Sequence, residues 1–338
     1  MDREAGARPV RGDAVRRRTF FAAVAAPALL RGAQATAQEA WPARPVRILV
    51  PYSTGGSTDI VARLAADLMS QRLPQRVVVE NRTGGGGTIA ASATARSEPD
   101  GTTLFFTNVG YVASRFLNPR LDFDPDSDLK PVTIATEGPM VMLVGPDSPY
   151  RTVKDIVEAA RQRPGQLSYG SSGGGGALQL TALGFLRAAG IQMNEVAYRG
   201  SGQAAPDLAS GRLDMMFDSG VAGFGLVRGN QARALAVSSP RRSEAMPDVP
   251  TLAEAGLPGA TFSLWQMLMA PAATPPDLLQ RINEAFKAAL TDPAIHQRLV
   301  DLGAERVVVN APEEAQRYFA AEMARWKDIL EAARIGQR

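Results

Sequence analysis

The chain of 338 residues contains no cysteine. That excludes disulfides, thiolate metal sites and every cysteine nucleophile. It has a single histidine, His296, so a serine nucleophile would have one candidate base and a zinc ion no plausible ligand set. No apolar run reaches the roughly 20 residues that a membrane-spanning helix requires. Neither G-x-x-x-x-G-K-[ST] nor a convincing G-x-G-x-x-G with a ribose-binding acid occurs, which argues against phosphate-loop and dinucleotide sites. After residue 37 there is no clustered Lys/Arg of the kind that marks a nucleic-acid footprint, so no nucleic acid is expected as a partner. No metal or cofactor is expected either.

Hydrophobic residues make up 45% and charged residues 21%, a normal balance for a soluble globular protein long enough for two domains. The formal charge of +3 belongs to the N-terminus. Residues 1–37 hold seven of the 37 basic residues and three of the 34 acidic ones, leaving 30 and 31, a formal charge of −1. This segment is built as an export signal. Arg16-Arg17-Arg18 leads into an apolar run over 19–30, the length of a signal-peptide core, and Ala35-Thr36-Ala37 offers the small residues that signal peptidase inspects. Cleavage is expected after Ala37, and the mature protein is expected in the periplasm. Arg17-Arg18-Thr19-Phe20-Phe21 also resembles a twin-arginine signal.

Strand and helix signals alternate along the rest. β-rich apolar runs predict strands at 46–50, 77–79, 104–106, 140–144, 167–169, 195–198, 213–217, 232–237 and 262–270. Helical spacing of apolar residues predicts helices at 59–70, 89–96, 153–161 and 177–189. The C-terminal part reads as helices at 276–290 and 293–302, a strand at 306–309 and a long helix from Pro312, whose Phe319, Met323 and Trp326 form a core-facing stripe. Such alternation predicts an α/β fold with a mostly parallel sheet covered by helices.

Glycines cluster at three strand-to-helix turns: 51–59, with Gly55-Gly56; 84–87, four glycines in a row; and 171–176, with Gly173 to Gly176. A helix N-terminus presents unpaired N–H groups and a partial positive charge, and glycines ahead of it let the backbone close on an anion. Ser53, Thr54, Ser171 and Ser172 would add hydroxyl donors. Two such loops facing one another could grip a carboxylate without an arginine; a single one is as readily a tight turn. Gly170-Ser171-Ser172-Gly173-Gly174 formally matches the G-x-S-x-G elbow of α/β-hydrolases. The base for a Ser172 nucleophile would have to be His296, whose polar neighbours place it on a helix surface, and an enzyme is not expected.

At these loops the chain resembles the Bug-type substrate-binding proteins of the tripartite tricarboxylate transporter family, from about Trp41 to the C-terminus. The matching segments include Pro51-Tyr52 with Gly55-Gly56 and Asp59, Val79-Glu80-Asn81-Arg82 with the glycines at 84–87, and Pro99-Asp100-Gly101-Thr102-Thr103-Leu104. They continue with Tyr169-Gly170-Ser171, Tyr198-Arg199-Gly200, Asp214-Met215, the run from Pro250 to Gly259, and Trp265. The chain departs from the family at Ser53-Thr54, at Gly176 where a hydroxyl is usual, and at Gln179 where a histidine is usual.

The resemblance implies a type II periplasmic-binding-protein fold: two α/β lobes with a ligand cleft and two crossover strands, near 140–144 and 262–267. Lobe 1 would comprise 42–140 plus 263–338, and lobe 2 residues 141–262. It implies a ligand carboxylate held on backbone N–H groups of Tyr52, Ser53, Thr54, Gly55 and Gly56 and of Ser171, Ser172, Gly174, Gly175, Gly176 and Ala177. Asp59, Asn108, Tyr198 and Asp218 follow as secondary contacts, and the loop at 84–87 as a structural feature. The implied partners are a small organic acid and the membrane subunits of a transporter, with the receptor itself a monomer. A sensory receptor of the same fold, or a serine hydrolase, remains as an alternative reading.

Overall fold

The computed structural model describes residues 41–118 and 121–332. The export signal predicted over 1–37, with its cleavage after Ala37, lies outside the described residues. The first half of the chain runs β1 (Val46–Val50), α1 (Ser57–Arg72), β2 (Val77–Asn81), α2 (Thr88–Ala95), β3 (Thr103–Asn108), α3 (Gly110–Leu117) and the long β4 (Leu129–Val144). Next come α4 (Val153–Gln162), β5 (Ser168–Ser171), α5 (Ala177–Ala189), β6 (Asn194–Ala197), α6 (Ser201–Ala209), β7 (Met215–Ser219), α7 (Gly220–Arg228) and β8 (Arg233–Val237). The chain then returns through β9 (Ser263–Pro271) to α8 (Pro276–Leu290), α9 (Pro293–Leu302), β10 (Arg306–Val307) and α10 (Pro312–Ala332). Among the described residues no helix is long and apolar enough to cross a membrane.

The strands order as β2-β1-β3-β9-β4-β7-β5-β6, with β8 and β10 pairing to β4. The β2-β1-β3 and β6-β5-β7 pairs are parallel, while β9 and β4 run antiparallel to their neighbours. Parallel strands covered by helices on both faces must be apolar on both faces. In β1, Ile48 and Val50 pack with Leu104 and Phe106 against Val61, Met69 and Phe286, while Leu49 points the other way with Phe105 and Met267. Each such fully buried side chain contributes about 1.5–3 kcal/mol to the fold.

β4 belongs to both halves of the sheet. From Leu129 to Pro139 it pairs with β9; from Met140 to Val144 it pairs with β7, and with β8 on its other edge. β9 enters at Ser263 opposite Pro139, one residue after Phe262 is tied to Ser238 at the end of β8. The change of partner therefore falls at the Pro139–Met140 step, at the N-terminal edge of the predicted crossing at 140–144. This is the two-lobed α/β arrangement implied by the family resemblance, but the sheet is mixed rather than mostly parallel, because β4 and β9 run antiparallel through its centre. The strand predicted at 213–217 is shifted to Met215–Ser219, and that at 306–309 shrinks to Arg306–Val307.

Candidate functional site

Three of the helices outside the glycine clusters are capped by side chains, while α6 and α8 start without a side-chain cap at Gly200 and Pro275. α4 opens with a full capping box between Thr152 and Asp155, and α7 and α9 are capped by the side chains of Ser219 and Asp292. α1, α2 and α5 start differently: their N-caps are Gly56, Gly87 and Gly176, and no side chain caps any of them. The first amides of a helix have no partner within it, and a buried start without a cap leaves those donors for something else. Ser57 and Thr58 at the start of α1, and Ala177 and Leu178 at the start of α5, are all buried.

Some loop amides are already used. Asp59 accepts from Gly55 N at 3.0 Å, and Gln179, at the equivalent third position of α5, accepts from Gly175 N at 2.7 Å. The Gly173 amide donates to Ser171 Oγ, and Ser171 in turn donates to Glu195. Burial pushes the Asp59 carboxyl up, but Arg63, the Gly55 amide and Asn81 outweigh it and hold the group below the usual range. Asp59 is thus committed to supporting the loop. Asn108 is committed likewise: its Oδ1 accepts from Tyr52 Oη at 2.8 Å and from Gly110 N at 3.0 Å, and its Nδ2 donates to Thr58. Neither Asp59 nor Asn108 lines the two cavities described below; both hydrogen-bond to the loops through their side chains.

Tyr52, Ser172, Gly174 and Tyr198 come together around a cavity of about 280 Å³, completed by Pro51, the glycines at 84–87, Asn118, Gly173 and the exposed Arg199. Its lining holds no carboxylate. The Ser172 hydroxyl is buried and has no hydrogen-bond partner. The loop at 84–87, taken from the sequence as merely structural, is a wall of this cavity: a Cβ on Gly86 would lie 2.0 Å from the Gly174 carbonyl oxygen, so the second and third glycine loops touch through bare backbone. Gly176 is fixed by a similar constraint, since a Cβ there would come 2.0 Å from Ser172 Oγ. This chain therefore places its hydroxyl at Ser172 and cannot keep a side chain at Gly176 in the same arrangement. Pro51, Asn118, Gly173 and Arg199 were absent from the predicted contacts; Pro51 and Arg199 were signalled by the matching segments Pro51-Tyr52 and Tyr198-Arg199-Gly200 and Gly173 by its glycine cluster, whereas Asn118 had no signal.

Ser53 and Gly56 sit at a seam beside this cavity. Ser53 N donates to the Arg199 carbonyl at 2.9 Å, and a Cβ on Gly200 would lie 2.6 Å from Ser53 Oγ, a buried oxygen without a partner. Beyond the seam a second cavity, of about 370 Å³, is lined by Thr54, Gly55, Ser201, Gly202, Asp218, Gln231 and apolar residues of α6 and α7. Asp218 is 1% exposed. Its Oδ1 accepts from Ser219 N at 2.8 Å, while its Oδ2 has no hydrogen-bond partner. Burial pushes this carboxyl up to about 7, against the Ser219 amide and the Ser201 hydroxyl. Tyr198, whose hydroxyl donates to Asp207 at 2.7 Å, is pushed up to about 12 by burial and that carboxylate.

The profile of the tripartite tricarboxylate transporter family receptors matches residues 61–335. The chain belongs to that receptor family. Within it, the protein from the tcbD–tcbE intergenic region of Pseudomonas sp. strain P51 is 35% identical over 320 residues, covering 94% of this chain and 95% of the relative. The periplasmic binding protein BugD superposes with a TM-score of 0.83 at 30% identity, over 87% of this chain and 99% of its own. MatC from Rhodopseudomonas palustris, solved with bound malate, does so with a TM-score of 0.80 at 33% identity, over 86% and 99%. The resemblance to Bug-type receptors read from the sequence is thereby established. A tripartite tricarboxylate transporter receptor is a substrate-binding protein and not an enzyme. His296 is exposed on α9 and lines neither of the cavities described.

Proposed function

We propose that this chain is a periplasmic solute receptor that captures a small carboxylate in the cavity between Tyr52 and Ser172 and delivers it to the membrane subunits of a tripartite tricarboxylate-type transporter. One observation carries the reading: the glycine loops that precede α2 and α5 line a cavity together with Arg199 and with no carboxylate. Such a lining favours an anion through main-chain amides and partial charges. MatC, bound to malate, supports the chemical class. The lobes would be 42–140 with 263–338, and 141–262, a division supported by the change of partner along β4. Ligand-driven closure would bring Ser172 to Gly174 onto Tyr52 and the glycines at 84–87.

The first test is a titration of the purified protein with di- and tricarboxylates, malate included, against Ala177→Pro. Proline is tolerated at the first position of a helix but has no N–H. A hydrogen bond to a charged group is worth about 1.5–3 kcal/mol, so the variant should bind about tenfold or more weakly, with its melting temperature measured alongside because Ala177 is 1% exposed. Binding that is indifferent to this substitution, or absent for every organic acid, would defeat the reading.

A further inference from the structure

The two cavities beside the Ser53–Arg199 seam have opposite electrostatic characters. The one at Tyr52 is lined by an arginine and no carboxylate; the one at Thr54 is lined by a carboxylate, Asp218, and no Lys or Arg. We propose that this second cavity is a separate ligand site, which takes a primary ammonium group on Asp218 and lays a short aliphatic stem on Ala205, Pro206 and Leu226.

The argument starts from the orphaned oxygen. Asp218 is 1% exposed; its Oδ1 accepts from the Ser219 amide, and the Ser201 hydroxyl lies beside the carboxyl. Oδ2 is a buried acceptor without a close hydrogen bond, on a residue that lines a cavity of about 370 Å³. A buried polar atom in that position costs free energy until a donor reaches it, and a buried charge costs more until it is paired. An ammonium group supplies the donor and the compensating charge together, where a hydroxyl supplies only the first. The start of α6, whose Ser201 and Gly202 line the same cavity, carries partial positive charge and favours the ionised carboxylate, but a partial charge does not neutralise a full one. Beyond the carboxyl, the wall is built from side chains of α6 and α7 that offer an alkyl stem apolar surface. The Ser53 amide bonded to the Arg199 carbonyl, with Gly200 pressed against Ser53, separates this cavity from the carboxylate site. The assignment therefore does not depend on the reading of that site.

The test is a thermal-shift titration of the full chain with n-butylammonium chloride, beside 1-butanol and sodium butyrate, in the parent, Asp218→Asn and Ala205→Phe. A ligand of the native state raises the melting temperature with concentration. The expected result is a concentration-dependent rise with butylammonium in the parent, none with butanol, at least a tenfold weaker response in Asp218→Asn and none in Ala205→Phe, whose ring fills the cavity. Any carboxylate bound by the parent should keep its affinity in both variants. Equal responses to amine and alcohol, an amine response that survives either substitution, or no amine response in the parent would overturn the proposal. Should Asp218→Asn fail to fold, Ala205→Phe decides alone.

Discussion

The Asp218 carboxyl loses its proton in the folded protein only near pH 7, against 3.8 for the free group, because burial outweighs the Ser219 amide and the Ser201 hydroxyl. Between those values the native state holds a proton that the unfolded chain has released, so stability falls as pH rises from about 4 to about 7 and stays lower above it. Asparagine carries no such cost. Asp218→Asn should accordingly melt above the parent at pH 8, by a few degrees since about 1 kcal/mol moves a domain of this size about 2–4 °C, and the gap should close towards pH 4. A scan showing the same gap at both pH values would refute this account. At this scale the sequence pointed to loops that line the two cavities but not to the division of labour within them. The family resemblance implied Asp59 and Asn108 as secondary contacts; only packing shows that Gly55, Arg63, Tyr52 and Thr58 occupy their polar atoms.

Among the helices, ordinary caps and glycine starts mark two different duties. Thr152 exchanges hydrogen bonds with Asp155 at the exposed start of α4, a purely local contribution. Thr152→Ala should cost about 1 kcal/mol in urea unfolding and leave carboxylate affinity unchanged; weakened binding would show that α4 matters to the site. Most elements were legible from period and punctuation, since buried strands such as Thr103–Asn108 and amphipathic helices such as Pro276–Leu290 advertise themselves. The omissions have a common cause. α3 and α7 begin with glycine, α7 carries further glycines at 223 and 225, α6 contains Pro206, and the first half of β4 is interrupted by Pro131, Gly138 and Pro139. Local propensity opposes each of these elements, and tertiary burial overrides it.

Across the whole molecule, the two halves of the sheet meet through backbone at Gly86 and Gly174, where φ is 66° and 53°. A methyl group at either position has nowhere to go, and the left-handed backbone adds roughly 1–2 kcal/mol of strain. Gly86→Ala should keep these loops apart: its ligand-saturated radius of gyration in small-angle scattering should exceed the parent's, with carboxylate affinity at least tenfold lower. Unchanged scattering and affinity would mean that the contact is incidental. How far the halves can move is set by β4, which passes from one set of partners to the other without a break, at a residue, Pro139, that has no amide to donate. Any swing of one half against the other would therefore twist the ribbon of β4 together with the second crossing, at Phe262–Ser263, rather than bend a slack tether. A stiff ribbon of this kind returns to its resting angle once the load is released.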